Sequence, residues 1–468
     1  MNAFRNILFI LSAIFSICIS SCISDEITDS PSANLSFSTD TVSFGLIFTD
    51  LNTPTARLQV FNRNDKGVII SSIKFKNPDT PFRLNVDGVS GQYFSDVEIR
   101  ANDSIYVFME CFINEDESLE PQRIADQLEF VTNGVTQDVE VEAWAWNVTR
   151  LNNITVEEDL TLTAERPYII FDTLKVAPSA TLTIEPGAWL LFHDKASMKV
   201  QGTLLALGEV DNFIRMSGDR LDDILPDVAY DQLAGQWGGI DIAPESFGNR
   251  MEYVNMRSTV SGLRVDSCGD LSKNKLTLVN SWLHNSQSNA LSSEYAAVDA
   301  YGCCFSETAG SVVRLIGGYH NFVQCTISNS YLFASLFQPN LYLGHCLEAD
   351  SEENGQPLMT AYFENGIVWG EIGDPIYPGD LLGSNVFMRN MLFKANGSDD
   401  ENFIDCIWNE DPLFYTVRDD YYFNYELQPE SPALGRGNPA YLTPLCLYDM
   451  YGNYRLADGP PALGAYAL

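Results

Sequence analysis

The sequence contains few of the side chains that bind metal ions. Its 468 residues include four histidines, and no two of them stand at His-x-His or His-x-x-x-His spacing. No Cys-x-x-Cys pair occurs among the ten cysteines, and pairs at such spacings are the usual mark of a zinc or redox site. We therefore predict no bound metal and no cofactor. The histidines are His193, His284, His320 and His345.

Lysine and arginine are also scarce. The chain has 27 basic and 63 acidic residues, which gives a formal net charge of -36. Proteins bind nucleic acid largely through basic side chains that neutralise phosphates, so this composition excludes a nucleic-acid partner. It also disfavours polyanionic glycans unless cations bridge the two surfaces. Because hydrophobic residues make up 45% of the chain, the acidity belongs to the surface of a folded protein.

Apolar runs long enough to span a membrane are absent. A spanning helix needs ~20 consecutive apolar residues, and no segment reaches that length. The longest run, from Ile7 to Ile17 behind Arg5, is nearer the length of a signal-peptide core. We predict a signal peptide over residues 1–21 and a flexible tether over residues 22–33.

A cysteine follows the apolar run directly. Residues 19–22, ISSC, resemble the lipobox of bacterial lipoproteins, with Ile where Leu is commonest. Residues 24–26, SDE, resemble the acidic export signal of Bacteroidetes surface lipoproteins. This resemblance implies a lipid on Cys22 and attachment to the outer membrane, facing the cell surface. The alternative is an ordinary secretory signal in which Cys22 is incidental.

Residues 34–148 contain short alternating segments rich in Val, Ile and Phe, separated by turn sequences such as Asn133-Gly134. About seven such strands in about 115 residues predict a β-sandwich. The phrases FG at 44–45, VFNRN at 60–64 and IRANDSI at 99–105 resemble Ig-like domains of the ASPM–SPD-2–Hydin type. Trp144 and Trp146 share one strand face, as a sugar platform or as a packing surface.

Residues 149–410 show a repeat. Trp282, Cys304, Cys325, Cys346 and Ile367 follow one another at spacings of 22, 21, 21 and 21 residues. A period of this length with short apolar strands predicts a β-solenoid, in which stacked coils bury a shared core. The cysteines are then buried thiols, with a disulfide or a metal site as the alternatives. Further members of this column, at looser spacing, are Met256, Met391 and Cys406.

Several phrases in this region have a known parallel. IEPG at 184–187, VQGTL at 200–204 and GQWGGI at 235–240 resemble right-handed parallel β-helix proteins of the pectin-lyase-like group. The resemblance extends from about Ile154 to Trp408 and implies that fold. Residues 217–234 are then a surface excursion between two coils.

The C-terminal residues 411–468 resemble the ending of bacterial β-helix surface proteins of the choice-of-anchor type. DPLF at 411–414 and YELQPESPA at 425–433 carry the first part of this resemblance. Residues 449–468 match the end of these proteins at Asp449, Gly452, Arg455, Gly464, Ala465 and Tyr466. They differ from it at Ala462 and Ala467. We predict a cap over the open last coil. Its aromatic residues either pack there or stack on sugars, namely Tyr421, Tyr422, Phe423 and Tyr425.

No catalytic residue is predicted. The phrases typical of polygalacturonases and pectate lyases are absent, and so are GxSxG, P-loop and HExxH motifs. Asp222 and Asp223 are adjacent but have no partners in the pattern. Arg264 as a base, with Asp266 and Asp299 as calcium ligands, is one interpretation; a surface ion pair is the other.

These patterns predict an all-β protein, with an N-terminal Ig-like β-sandwich followed by a right-handed parallel β-helix and a C-terminal cap. The leading functional hypothesis is a non-enzymatic, lipid-anchored surface protein that binds glycan or another surface protein. The alternatives are a polysaccharide lyase or glycoside hydrolase with a divergent site, and a structural component of an outer-membrane assembly. Fold alone does not decide among them.

Overall fold

The computed structural model describes residues 26–225, 228–344, 359–372, 376–377, 384–417 and 422–467. Cys22, His345, Cys346 and Tyr421 lie outside these ranges. The chain divides into two compact units, Met1–Asn147 and Val148–Leu468. Strands form nearly all the regular structure of the described residues, which confirms the all-β prediction. No helix in the described part of the chain is long and apolar enough to cross a membrane.

The first unit is a β-sandwich with a five-stranded and a six-stranded sheet, and all strand pairs but one are antiparallel. Asn133 and Gly134 form the two-residue turn of its longest hairpin. Their φ angles are 52° and 78°, as such a turn between twisted strands requires. The five-stranded sheet consists of Leu35–Phe37, Ala56–Asn62, Phe82–Val86, Val89–Gly91 and Ser104–Cys111. The six-stranded sheet consists of Thr41–Phe48, Val68–Phe75, Tyr93–Phe94, Val97–Ile99, Gln122–Thr132 and Val135–Trp146.

The second unit is a parallel β-helix, which confirms the predicted solenoid. Successive strands join three parallel sheets in turn, so each of the first nine coils contributes one strand to the first, second and third sheet.

The first sheet contains Thr149–Asn152, Tyr168–Phe171, Trp189–Phe192, Ile214–Gly218, Val254–Thr259, Trp282–Ser286, Cys304–Thr308, Thr326–Asn329, Ile367–Gly370, Leu392–Phe393 and Ile407–Trp408. The second contains Thr155–Val156, Thr173–Val176, Ser197–Val200, Gly239–Ile242, Leu263–Val265, Leu291–Glu294, Val313–Ile316, Leu341–Gly344 and Ile376–Tyr377. The third contains Leu160–Leu162, Thr181–Ile184, Thr203–Leu207, Asn249–Glu252, Leu276–Val279, Ala297–Tyr301, Tyr319–Val323, Thr360–Glu364, Asn385–Arg389 and Phe403–Ile404.

Inward-facing side chains of the coils stack into apolar columns. On the first sheet, Leu283, Phe305, Ile327, Val368 and Phe393 pair in register from coil to coil, and all are buried. Each coil shares its inner face only with the coils above and below, so the stack supplies the core that one coil lacks.

The repeat column predicted from spacing is partly wrong. Trp282, Cys304 and Ile367 do share one column on the outer side of the first sheet, but its member between them is Thr326. Cys325 precedes that position by one residue, because the step from Cys304 to its partner is 22 residues and not 21. Met391 and Cys406 likewise precede the column members Leu392 and Ile407, and Met256 pairs instead with Leu283.

Left-handed residues turn the chain sharply from the third sheet into the first. Each of the seven corners from Tyr253 onward contains one residue with φ between 43° and 65°, and three of these residues are Asn, which tolerates this conformation better than most residues. Such a corner takes few residues and keeps the coils in register. The residues are Tyr253, Asn280, Gly302, Gln324, Asn365, Asn390 and Asp405.

The C-terminal segment covers the helix along its flank. Tyr425, Met450 and Tyr466 pack in one apolar cluster with Cys304 and Leu392, which belong to the first sheet. The segment thus extends over the outer side of several coils, and a cap over the open last coil stays a prediction. The regular elements of the segment are the hairpin of Phe414–Thr416 with Asn424–Leu427 and the 3-10 helices Pro439–Tyr441 and Pro444–Cys446.

Two buried polar side chains fix this segment. Arg455 donates to the carbonyl oxygens of Gly464 and Ala465 at 3.2 and 2.6 Å, and to Gln324 Oε1 at 3.2 Å. The Asp449 carboxylate accepts hydrogen bonds from four donors within the segment, among them the backbone N–H of Ala467 at 2.9 Å. The terminal motif of the sequence is thus a set of hydrogen bonds that holds the flank cover.

Candidate functional site

Long excursions leave the helix at both edges of the second sheet. Residues 219–238 and 330–340 connect strands of the first sheet to strands of the second, and residues 266–275 connect the second to the third. The outer face of the second sheet, here called the groove floor, therefore has long connections at its two edges, here called its walls. Binding residues often project from such connections on a rigid scaffold.

Buried hydrogen bonds hold these walls. The backbone N–H of Ala234 donates to the hydroxyl of Tyr331 at 3.0 Å, which joins the two excursions on one side. On the other side Lys275 is fully buried, and its ammonium donates to the carbonyls of Pro244 and Ser267 at 3.0 Å each. Burial lowers the pKa of Lys275, and the carbonyl contacts indicate a structural lysine.

The groove floor presents one column of polar side chains. Asp241, Arg264, Ser292, Arg314 and Tyr342 stand in register on successive coils. Parallel strands lie ~4.8 Å apart, so the column offers a polar group at each such step along the helix. An extended polymer aligned with the helix axis would meet the partly exposed members Asp241, Arg264 and Arg314.

The groove floor carries charges of both signs, and the exposed Lys175 and Lys199 precede Asp241 in its column. Arg264 Nη1 lies 3.5 Å from Asp241 Oδ1, with side chains 48% and 37% exposed. Arg314 Nη1 lies 3.4 Å from Glu294 Oε1, with side chains 26% and 31% exposed. These two pairs sum to zero charge in a chain of net charge -36. The groove floor is therefore a place where the chain is not strongly acidic.

An aromatic ring follows Arg314 in the column. The guanidinium carbon of Arg314 lies 5.4 Å from the centroid of the Tyr342 ring, within cation–π distance. This contact orients the ring beside the Arg314–Glu294 pair. Together the column offers hydrogen-bond donors, acceptors and one aromatic ring to a ligand rich in hydroxyl groups.

The residues weighed as a lyase site do not meet. Arg264 pairs with Asp241 of the preceding coil and not with Asp266, so the ion-pair interpretation holds. Asp299 lies on the third sheet, where Asn274 Nδ2 donates to it at 2.7 Å and partial burial raises its pKa. Asp222 forms an exposed pair with Arg220 at 2.5 Å. Among the described residues, no group of three or more His, Cys, Asp or Glu side chains could hold a metal.

The third sheet carries a second aromatic surface. Ring centroids of Tyr319 and Tyr362 are 6.3 Å apart, and those of Tyr362 and Phe387 are 5.6 Å apart. Tyr362 and Phe387 stack on each other with planes 13° apart, so each occupies one face of the other. Tyr319 is 40% exposed and is the most open of the three. This surface is the rival to the groove floor.

The aromatic residues singled out from sequence have other neighbours. Trp144 is exposed, and the indole N–H of Trp146 donates to the carbonyl of Leu119 at 2.6 Å within the sandwich. Tyr425 is buried and its hydroxyl donates to the carboxylate of Glu307, whereas Tyr422 is exposed. Tyr425 therefore packs as predicted.

The sequence interpretation missed Asp241, Glu294, Arg314 and Tyr342. The signal was present: the lines GID at 239–241, GLR at 262–264, ALS at 290–292, VVR at 312–314 and NLY at 340–342 place these positions in one column. Loops of unequal length separate these lines, which hides the alignment.

Comparison with known proteins gives no family for this chain. No family model and no curated protein matches it. Among solved structures, the catalytic domain of a GH87 alpha-1,3-glucanase in complex with nigerose is 9% identical, with a TM-score of 0.16 over 77% of this chain and 88% of that one. A protein of unknown function from Porphyromonas gingivalis W83 is 10% identical, with a TM-score of 0.19 over 27% of this chain and 58% of that one.

A family 123 glycoside hydrolase from Clostridium perfringens is 9% identical, with a TM-score of 0.19 over 27% of this chain and 30% of that one. The chain thus spans little more than half of the Porphyromonas protein and under a third of the Clostridium enzyme. All three TM-scores lie far below the level at which a likeness supports an argument. The strand pairing described above establishes the fold by itself.

Proposed function

We propose that this protein is a non-enzymatic surface protein that binds an uncharged polysaccharide along the groove floor. The observation that carries the proposal is the column of Asp241, Arg264, Ser292, Arg314 and Tyr342, in which partly exposed acidic and basic side chains stand in register on successive coils. Sugar hydroxyls both donate and accept, so acidic and basic partners together suit them. A polyanion would be repelled by the remainder of the chain.

The proposal includes a cellular location for the protein. Lipid on Cys22 would anchor it to the outer membrane, and the SDE phrase at 24–26 would direct it to the cell surface. Residues 22–33 would then act as a tether for the two folded units. Mass spectrometry of the protein from cells would detect diacylglycerol on Cys22, and an unmodified or differently cleaved N-terminus would contradict this part.

Binding without cleavage is favoured by the state of the two carboxylates on the groove floor. Glycoside hydrolysis needs one carboxyl group as an acid and another as a base or nucleophile. Asp241 and Glu294 are each engaged by a guanidinium, at 3.5 and 3.4 Å. Neither is thereby presented as a free group to a glycosidic bond. A structural role in an assembly remains as the outcome in which no glycan binds.

Affinity electrophoresis and calorimetry on a panel of neutral and acidic polysaccharides test the proposal, with release of reducing ends measured in parallel. We expect binding of at least one neutral polymer and no new reducing ends. Tyr342→Ala and Arg314→Gln should weaken this binding. The matched control is Tyr319→Ala, which removes the same ring from the third sheet and should leave binding unchanged.

Each alternative outcome has a distinct meaning. Loss of binding in Tyr319→Ala alone would move the site to the third sheet. New reducing ends would establish an enzyme and overturn the non-enzymatic reading. Absence of binding to every polymer would favour the structural hypothesis, and proteins that co-purify with the chain would be its partners.

A further inference from the structure

A separate cluster of basic side chains lies on the outer face of the first sheet. Arg215 pairs in register with Asn255 of the next coil, and Arg257 stands two residues further along the same face. The excursion borders this cluster on one side, because Asp231 forms an ion pair with Arg257. The C-terminal segment borders the other, where Gly452 approaches Val210.

Arg215 is unusual in this acidic chain. Its guanidinium carbon lies 4.1 Å from the centroid of the Trp189 ring, which holds the side chain flat against the preceding coil. No carboxylate of the described residues pairs with it. Partial burial and the neighbouring charge of Arg257 lower the pKa of Arg215, so these surroundings disfavour its charged form. A bound anion would offset this effect.

Asn255 supplies the uncharged hydrogen-bond donor of this cluster. His284 Nε2 lies 2.9 Å from Asn255 Oδ1, and the His284 ring stacks on Trp282 with centroids 5.0 Å apart. Burial and the charge of Arg257 lower the pKa of His284 to about 3, so the ring is neutral at physiological pH. Its N–H then donates to Asn255, which leaves the amide NH₂ of Asn255 available between the two arginines.

We propose that Arg215, Arg257 and Asn255 bind one oxyanion, a carboxylate, sulfate or phosphate group of a small or sugar-borne ligand. Guanidinium groups match the paired oxygens of these anions, and the amide adds a third hydrogen bond. A guanidinium has five N–H donors, and Asp231 engages only some of those of Arg257. The site therefore carries a net positive charge within a chain of net charge -36.

This site is independent of the proposed function because it lies on a different sheet from the groove floor. Failure of neutral polysaccharides to bind would leave it untouched. Failure of the anion site would likewise leave the groove proposal standing, so the two tests give separate answers.

Calorimetry with the full-length protein tests the proposal, using sodium sulfate, sodium phosphate and sodium glucuronate at constant ionic strength. We expect saturable binding of at least one anion, and the preferred one identifies the source. Arg215→Gln should weaken binding on the order of tenfold, since a charge-assisted hydrogen bond is lost. Arg215→Lys keeps the charge without the paired geometry and should give an intermediate affinity.

The matched control is Arg250→Gln, which removes one positive charge from an exposed arginine on the third sheet. We expect it to bind the anion as the unchanged protein does. Equal weakening by Arg250→Gln would show a general charge effect, and absence of binding to all three anions would overturn the proposal. If Arg215→Gln were unfolded by circular dichroism, the comparison of Arg215→Lys with Arg250→Gln would decide.

Discussion

The outer faces of the first and second sheets belong to the same coils but differ in chemistry. On the first sheet, Cys304, Thr326, Ile367 and Leu392 form an outward column that is buried under the C-terminal segment. On the second sheet the corresponding column contains the charged side chains of Asp241, Arg264 and Arg314, which are partly exposed. A β-helix can thus assign one flank to stability and keep another for a ligand, and the residues of the outward column show which is which.

Buried polar groups make this difference sharper. The covered flank contains Arg455, Glu307 and Ser306, all nearly inaccessible to solvent. A buried polar group that loses its partner costs far more than an exposed one, because water cannot replace the lost hydrogen bond. Substitutions under the C-terminal segment and substitutions on the groove floor should therefore differ in kind: the first should change stability and the second ligand binding.

The largest effect is expected from Arg455→Ala. The substitution leaves the carbonyls of Gly464 and Ala465 buried without their donor and opens a cavity under the C-terminal segment. We expect the free energy of unfolding of the helix unit to fall by about 3 kcal/mol or more, measured by urea denaturation.

Arg436→Ala is the control for this prediction, because Arg436 lies exposed in the same segment. It should change the free energy of unfolding by no more than about 0.5 kcal/mol. An equally small loss for Arg455→Ala would show that the flank cover contributes little to stability, and the contrast between the two sheets would fail.

A second prediction concerns pH. Burial raises the pKa of Glu307 from 4.5 to about 7, although the Tyr425 hydroxyl donates to its carboxylate. The folded state therefore favours the protonated carboxyl. Its contribution to stability is complete below about pH 4.5 and is lost as the pH rises toward 7.

Glu307→Gln keeps a neutral polar group and removes this titration. We expect the variant to gain stability relative to the unchanged protein between pH 5 and pH 8, by up to about 3 kcal/mol from linkage. Urea denaturation of both proteins across that range isolates the residue from the general repulsion among the many acids. Parallel pH profiles would mean that Glu307 is solvated in the folded protein.

The sequence predicts the architecture better than the register. Strand-forming segments, turn residues such as Asn133-Gly134 and the repeat near 21 residues are local signals, and they are enough for a sandwich and a solenoid. The spacing from Cys304 to Cys325 is equally regular, yet the partner of Cys304 on the next coil is Thr326. Which residues stack is decided by three-dimensional pairing, and loop lengths do not reveal it.

The same limit applies to the candidate site. Arg264 stands out in the sequence, but its partner Asp241 belongs to the preceding coil, 23 residues earlier. Asp266 is nearer in the chain but lies beyond the end of the strand Leu263–Val265. A solenoid builds its surface columns across coils, so sequence neighbours are a poor guide to spatial partners.

The smallest effect on stability is expected from Arg264→Gln. Its ion pair with Asp241 is 3.5 Å long and both side chains are well exposed, so solvent screens it. We expect the free energy of unfolding to change by less than about 0.5 kcal/mol, while affinity for the bound neutral polysaccharide falls measurably. Urea denaturation and calorimetry on one protein preparation check both halves. A large loss of stability with unchanged affinity would assign the groove floor to structure, and the second sheet would then resemble the first.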